Sequence, residues 1–72
     1  MKNTIKVERA RYNLSQQELA DKLGITRQSI YAIEAGKFIP STLLALKMAR
    51  VFNAKVEEIF SLEKNEDKIN DK

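Results

Sequence analysis

An all-α domain of five short helices is what this sequence predicts. Three observations predict it. Hydroxyl residues suited to capping recur at Ser15, Thr26 and Ser41, each just ahead of apolar residues at helical spacing. Helix-ending residues separate those stretches, namely Asn13, Gly24, Gly36, Pro40 and Asn53. A chain of 72 residues has room for one small domain with a modest core, so association with a partner is a natural source of further stability.

The elements follow in order. Asn3 or Thr4 caps a first helix running to about Tyr12, with Ile5 and Ala10 expected inward and Val7 at a flank. Asn13 and Leu14 make a turn. Ser15 caps the second helix and Glu18 stands three residues on, the pattern of a capping box in which side chains satisfy free backbone donors. Leu19, Ala20 and Leu23 share its apolar face, and Gly24 ends it, where a positive φ costs glycine little. Thr26 caps the third helix, whose buried face carries Ile30 and Ile33. Phe38-Ile39-Pro40 is an extended link, because proline disfavours helix in the residue before it. Ser41 caps a fourth helix with the stripe Leu44, Ala45, Met48, Ala49 and Phe52, and Val56, Ile59 and Phe60 mark a short fifth. Residues 1–62 form the domain. Residues 63–72 are polar, lack the apolar surface to offset their ordering entropy, and are expected to be disordered.

Composition excludes several functions. Without cysteine there is no disulfide, thiolate chemistry or cysteine-bound zinc, and without histidine the commonest base and metal ligand is missing. No glycine-rich phosphate loop and no clustered carboxylates are visible, so neither an enzyme nor a metal or cofactor site is expected. No apolar run approaches the ~20 residues of a membrane span, and no signal-peptide core follows the amino terminus, so a soluble cytoplasmic protein is expected. Net charge is +3 but uneven. Residues 1–50 hold nine Lys/Arg against four Asp/Glu, a local +5, and residues 51–72 hold four against six, a local −2. A basic body suits a polyanion.

Residues 16–35, QQELADKLGITRQSIYAIEA, are the most informative segment. They read as two short helices joined by a tight turn, the layout of a helix-turn-helix that reads DNA in the major groove. Ala20 must be small where the helices cross, and Ile25 plugs the turn. At about 100° per residue, with Ile30 and Ile33 inward, Gln28, Ala32 and Ala35 point most directly out and Arg27 and Tyr31 lie on one flank. Arg and Gln are the side chains that pair bidentately with guanine and adenine edges, and these two sit in the first turn.

SQQELADKLGITRQSIYAIEAGKFIPS resembles the phage-repressor and Cro type of helix-turn-helix, also called the xenobiotic-response-element (XRE) type. The resemblance spans about residues 4–60. It rests on S-Q-x-E-L-A, the L-G-[apolar]-[ST] turn, S-I-x-x-I-E-x-G-K and the following P-S, and it is closest to short, single-domain bacterial and archaeal regulators. It implies a five-helix fold, a homodimer and an inverted-repeat operator, and allows short strands at residues 1–3 and 60–64. It implies base reading by Arg27 and Gln28, with Tyr31 and Ala32 at variable positions of the same face. It implies DNA-backbone contacts from Gln16, Ser29 and Lys37; Thr26 joins that group, though capping is its first role. Arg9 and Glu34 match an ion pair tying the first helix to the third. Glu8 departs from the family, which often has Leu or Ile there; either the helix is rotated or Glu8 lies at an edge beside a basic neighbour.

Leu43 and Leu46 lie off the main stripe of the fourth helix. With Ile59, Phe60 and Leu62 they offer more apolar surface than a small core needs, and a dimer interface is expected there. The expected partner is double-stranded DNA and the expected function is transcriptional regulation, most simply repression. The competing reading is an antitoxin-like interaction module with autoregulatory DNA binding, which a long apolar carboxy-terminal arm would favour; EKNEDKINDK is short and polar.

Overall fold

The computed structural model describes residues 1–70. Five helices run in sequence: α1 Ile5–Arg11, α2 Gln16–Leu23, α3 Arg27–Glu34, α4 Thr42–Val51 and α5 Val56–Ile59. Two short strands, β1 Lys2–Asn3 and β2 Phe60–Ser61, pair antiparallel with Lys2 opposite Ser61 and Asn3 opposite Phe60. This ribbon joins the start of the domain to its end. Thr4 continues it, its backbone N–H donating to Ile59 O at 2.9 Å and its hydroxyl to Glu58 O at 3.2 Å.

The local signals act as expected. Ser15 Oγ accepts from Glu18 N at 3.0 Å and Glu18 Oε1 accepts from Ser15 N at 2.9 Å, completing the capping box. The bond from Ser15 N, with help from the hydroxyl, holds the Glu18 carboxyl below the usual carboxylate range. Thr26 Oγ1 and Ser41 Oγ cap α3 and α4 by accepting from Ser29 N and Leu44 N at 3.2 and 3.1 Å. Gly24 takes the left-handed conformation at φ 72°, so three residues suffice to turn α2 into α3. Asn13 and Asn53 also take positive φ, 56° and 50°, at the turns after α1 and α4.

The core joins Ile5, Leu19, Ala20, Leu23, Ile30, Ile33, Met48, Phe52, Ile59 and Phe60. Leu44, Ala45 and Ala49 of α4 pack against it, half-buried. Ala20 is fully buried while α2 and α3 pack on one another, which is the close crossing that a small residue permits.

Three placements differ from expectation. Ala10 is exposed, and Glu8 takes the inward position instead, 8% exposed. The reason is helical geometry: Glu8 lies one turn from the buried Ile5, whereas Ala10, five residues on, falls on the far side. Glu8 sits at the core's edge beside a cation, Arg11 Nη1, 3.7 Å from its Oε1. Phe60 leaves the fifth helix for β2, with extended angles of −117° and 140°. Residues 64–66, within the stretch expected to be disordered, form a single 3₁₀ turn, and Glu66 there accepts from the Met1 amino group at 3.1 Å. The last part of that stretch, residues 71–72, lies outside the described residues.

Candidate nucleic-acid interface

α3 is positioned from its buried side and from its carboxyl end. Ile30 and Ile33 are 0% and 1% exposed and fix its rotation. At its end, Glu34 receives two bonds from Arg9, from Nε at 2.6 Å and Nη2 at 3.2 Å. Arg9 Nη1 also donates to Leu14 O at 3.0 Å. Gln16 Nε2 joins the cluster by donating to Glu34 Oε1 at 3.2 Å. Both members of the ion pair are largely buried, so this two-point carboxylate–guanidinium contact is only weakly screened. It ties α1, α2 and α3 together in the structural role expected for Arg9 and Glu34.

A second tether was not legible in the motif. Asn3 Nδ2 donates to Ile33 O at 2.9 Å, while Asn3 Oδ1 accepts from Ile5 N at 3.2 Å. One amide therefore caps the end of α3 and the start of α1 together. Helices leave their last carbonyls unsatisfied, and Asn3 supplies a partner for one of them.

The opposite end of α3 is open. Arg27, Gln28 and Tyr31 are exposed, Tyr31 at 59%. Among the described residues none of the three makes an internal side-chain hydrogen bond or ion pair. The first turn of α3 holds no acidic residue, so nothing there opposes the positive end of the helix dipole. Ala32, expected to point outward, is half-buried, and Ser29 is half-buried with its hydroxyl 3.0 Å from that of Thr26. Lys37 is exposed just beyond α3. Gln16 is half-buried and engaged with Glu34, so one amide N–H is already committed inside the protein.

The structure adds Lys6. It shares a cleft of about 470 Å³ with Gln16, Tyr31 and the Arg9–Glu34 pair, which places another cation beside the face that α3 presents. Its position three residues before Arg9 on α1 was the signal available in the sequence.

Of the residues expected at a subunit interface, Leu43, Leu46 and Leu62 are exposed at 65%, 56% and 54%. Ile59 and Phe60 are instead core residues of this chain, at 1% and 7%, because the terminal ribbon folds both inward. No helix among the described residues is long and apolar enough to cross a membrane, and no group of three potential ligands gathers for a metal ion.

The helix-turn-helix family model matches residues 5–59, from the first residue of α1 to the last of α5. The chain belongs to the XRE-type helix-turn-helix family. It is 53% identical over 66 residues to a protein of Methanocaldococcus jannaschii named as an uncharacterised HTH-type transcriptional regulator, covering 92% of this chain and all of the relative. A similarly named protein of Bacillus subtilis is 49% identical, over 88% of this chain and 96% of its own. One from Archaeoglobus fulgidus is 48% identical, over 92% and 93%.

Proposed function

We propose that this protein is a sequence-specific transcriptional regulator that represses by occupying promoter DNA in the cytoplasm. α3 enters the major groove, where Arg27 and Gln28 read base edges with Tyr31 beside them and Ala32 at the margin. Lys37, Gln16, Ser29 and Thr26 contact the DNA backbone, and Lys6 joins them. Such contacts set register and supply salt-dependent affinity without reading sequence. The observation that carries the reading is the acid-free first turn of α3, whose Arg27 and Gln28 side chains make no hydrogen bond or ion pair among the described residues, on a helix clamped at its other end.

The active unit is a homodimer built on Leu43, Leu46 and Leu62, three of the exposed apolar residues of the carboxy-terminal half. A two-fold axis there sets two copies of α3 about 34 Å apart, one turn of DNA. Selection from a random duplex pool tests this. The expected product is an inverted repeat with half-sites about 10 base pairs apart, centre to centre. A pool with no enriched sequence overturns sequence-specific regulation. A protein that sediments as a clean monomer at micromolar concentration, and binds an isolated half-site as tightly as the repeat, overturns the dimer.

A further inference from the structure

The terminal ribbon is too short to hold itself. Each strand contributes two residues, and an isolated two-stranded ribbon is marginal in water at best. One end is pinned where Thr4 donates to Ile59 O and Glu58 O. The other end is pinned by charge. The Met1 amino group donates to Glu66 Oε2 at 3.1 Å and lies 3.6 Å from Glu63 Oε2. Glu66 uses its other oxygen to accept from Glu63 N at 2.8 Å, so one carboxylate closes the tail's turn and grips the amine. The bond to Glu66 raises the amine above the ordinary range of an amino terminus, against the pull of desolvation, and the Glu63 carboxylate adds to the rise. Glu66 is lowered, first by its bond from Glu63 N and then by the amine. Both partners are therefore charged at neutral pH.

The same end of the chain bears on α3 at two points. Met1 is half-buried against the core, and its carbonyl oxygen stands 3.8 Å from where a Cβ on Gly36 would lie, in the turn that follows α3. Two residues on, Asn3 bonds Ile33 O. Chain ends fray unless they are tied down. We propose that the charged Met1 amine, gripped by Glu66, is a latch that positions α3: it holds β1 on the tail's turn, and β1 holds Asn3 on the end of the helix. Met1 and Glu66 are then positioning residues for DNA binding, although neither touches DNA. A chain acylated or extended at Met1 binds every duplex more weakly, because the latch is open and α3 is aimed less firmly. The inference rests on α3 being the helix that enters the major groove.

Two changes of opposite charge test the latch. The full 72-residue chain is made by chemical synthesis with a free amine, with an Nα-acetyl group, and as Glu66→Gln with a free amine. Acetylation removes a positive charge, and Glu66→Gln removes a negative one while its amide oxygen can still accept from Glu63 N. Fluorescence anisotropy reads affinity for the duplex recovered by selection and for a random duplex, and amide exchange is followed residue by residue. Attraction to phosphates alone would weaken binding by the acetylated chain and strengthen it for Glu66→Gln. The latch predicts a loss in both, roughly two- to fivefold on either duplex, as for an exposed ion pair. Exchange in the last turn of α3 should quicken in both while α2 stays protected. If the two changes move affinity in opposite directions, or leave affinity and exchange untouched, the latch is overturned and α3 remains the reading helix. If the free-amine chain binds selected and random duplexes alike, base reading by α3 fails, and exchange alone decides the latch: a quickened last turn upholds it and an unchanged one overturns it.

Discussion

The two ends of α3 are built in opposite ways. Its last turn is bound on two sides, by Arg9 and Gln16 through Glu34 and by Asn3 through the Ile33 carbonyl. Its first turn is bound by its cap, and the side chains that leave it, Arg27 and Gln28, make no hydrogen bond or ion pair among the described residues. The difference separates two tasks. Aim is a property of the helix axis, and the buried pair and the Asn3 amide fix it before any DNA arrives. Reading is a property of the side-chain tips, which must be free to bond base edges. Immobilising such a side chain on binding costs roughly 0.5–1.5 kcal/mol, so a helix already aimed leaves only the tips to be ordered.

Breaking the bound end should have the largest effect. Glu34→Ala strands the Arg9 guanidinium in a mostly buried site and releases Gln16, so unfolding free energy should fall by about 3 kcal/mol in urea denaturation. Affinity for every duplex should fall with it, because aim is lost before reading begins. A variant of unchanged stability would show that the pair does not anchor α3.

Asn3→Ala comes next. It removes one partner from the end of α3 and one from the start of α1, and stability should fall by roughly 1–2 kcal/mol. Asn3→Asp sharpens the point: its carboxylate still accepts from Ile5 N but cannot donate to Ile33 O. Amide exchange in the last turn of α3 should then quicken while α1 stays protected; equal protection in both helices would mean that Asn3 carries no tether.

The parts of this arrangement differ in how far the sequence discloses them. Ser15 with Glu18, Gly24, Thr26 and Ser41 were legible because their partners lie within a few residues. The Arg9–Glu34 pair came through family resemblance; nothing local joins residues 25 apart. The bond from Asn3 to Ile33 spans 30 residues and depends on the ribbon that the two ends of the domain make. The same ribbon explains why Ile59 and Phe60 are core rather than surface. Ala10 is misplaced by its apolar character, which says nothing of its angle from Ile5, whereas Glu8 takes one of the two places its sequence allowed, an edge beside a basic neighbour. On α3 itself two buried isoleucines sufficed to orient Gln28, Arg27 and Tyr31 outward, while Ala32 lies further in than an ideal helix wheel puts it.

A smaller effect separates α2 from α3. Glu18 is held below the usual carboxylate range by its bond from Ser15 N, so its contribution is complete above the ordinary carboxylate pKa and is lost as pH falls through the lowered folded value. Thermal midpoints measured from neutral into acid should show this loss, and Glu18→Gln, which cannot ionise, should remove that part of the slope. The same slope in both proteins would assign the acid sensitivity to other carboxylates.

Gln28→Ala tests the division of tasks most directly. With chemical denaturation and competition between the selected and a random duplex run side by side, stability should stay within about 0.5 kcal/mol of wild type, as for an exposed residue without partners. Discrimination against the wrong base at one position per half-site should drop by roughly 1–3 kcal/mol, with random-duplex binding nearly unchanged because no charge is removed. An equal loss on both duplexes, or a loss of stability with discrimination intact, would contradict a helix that is held at one end and reads at the other.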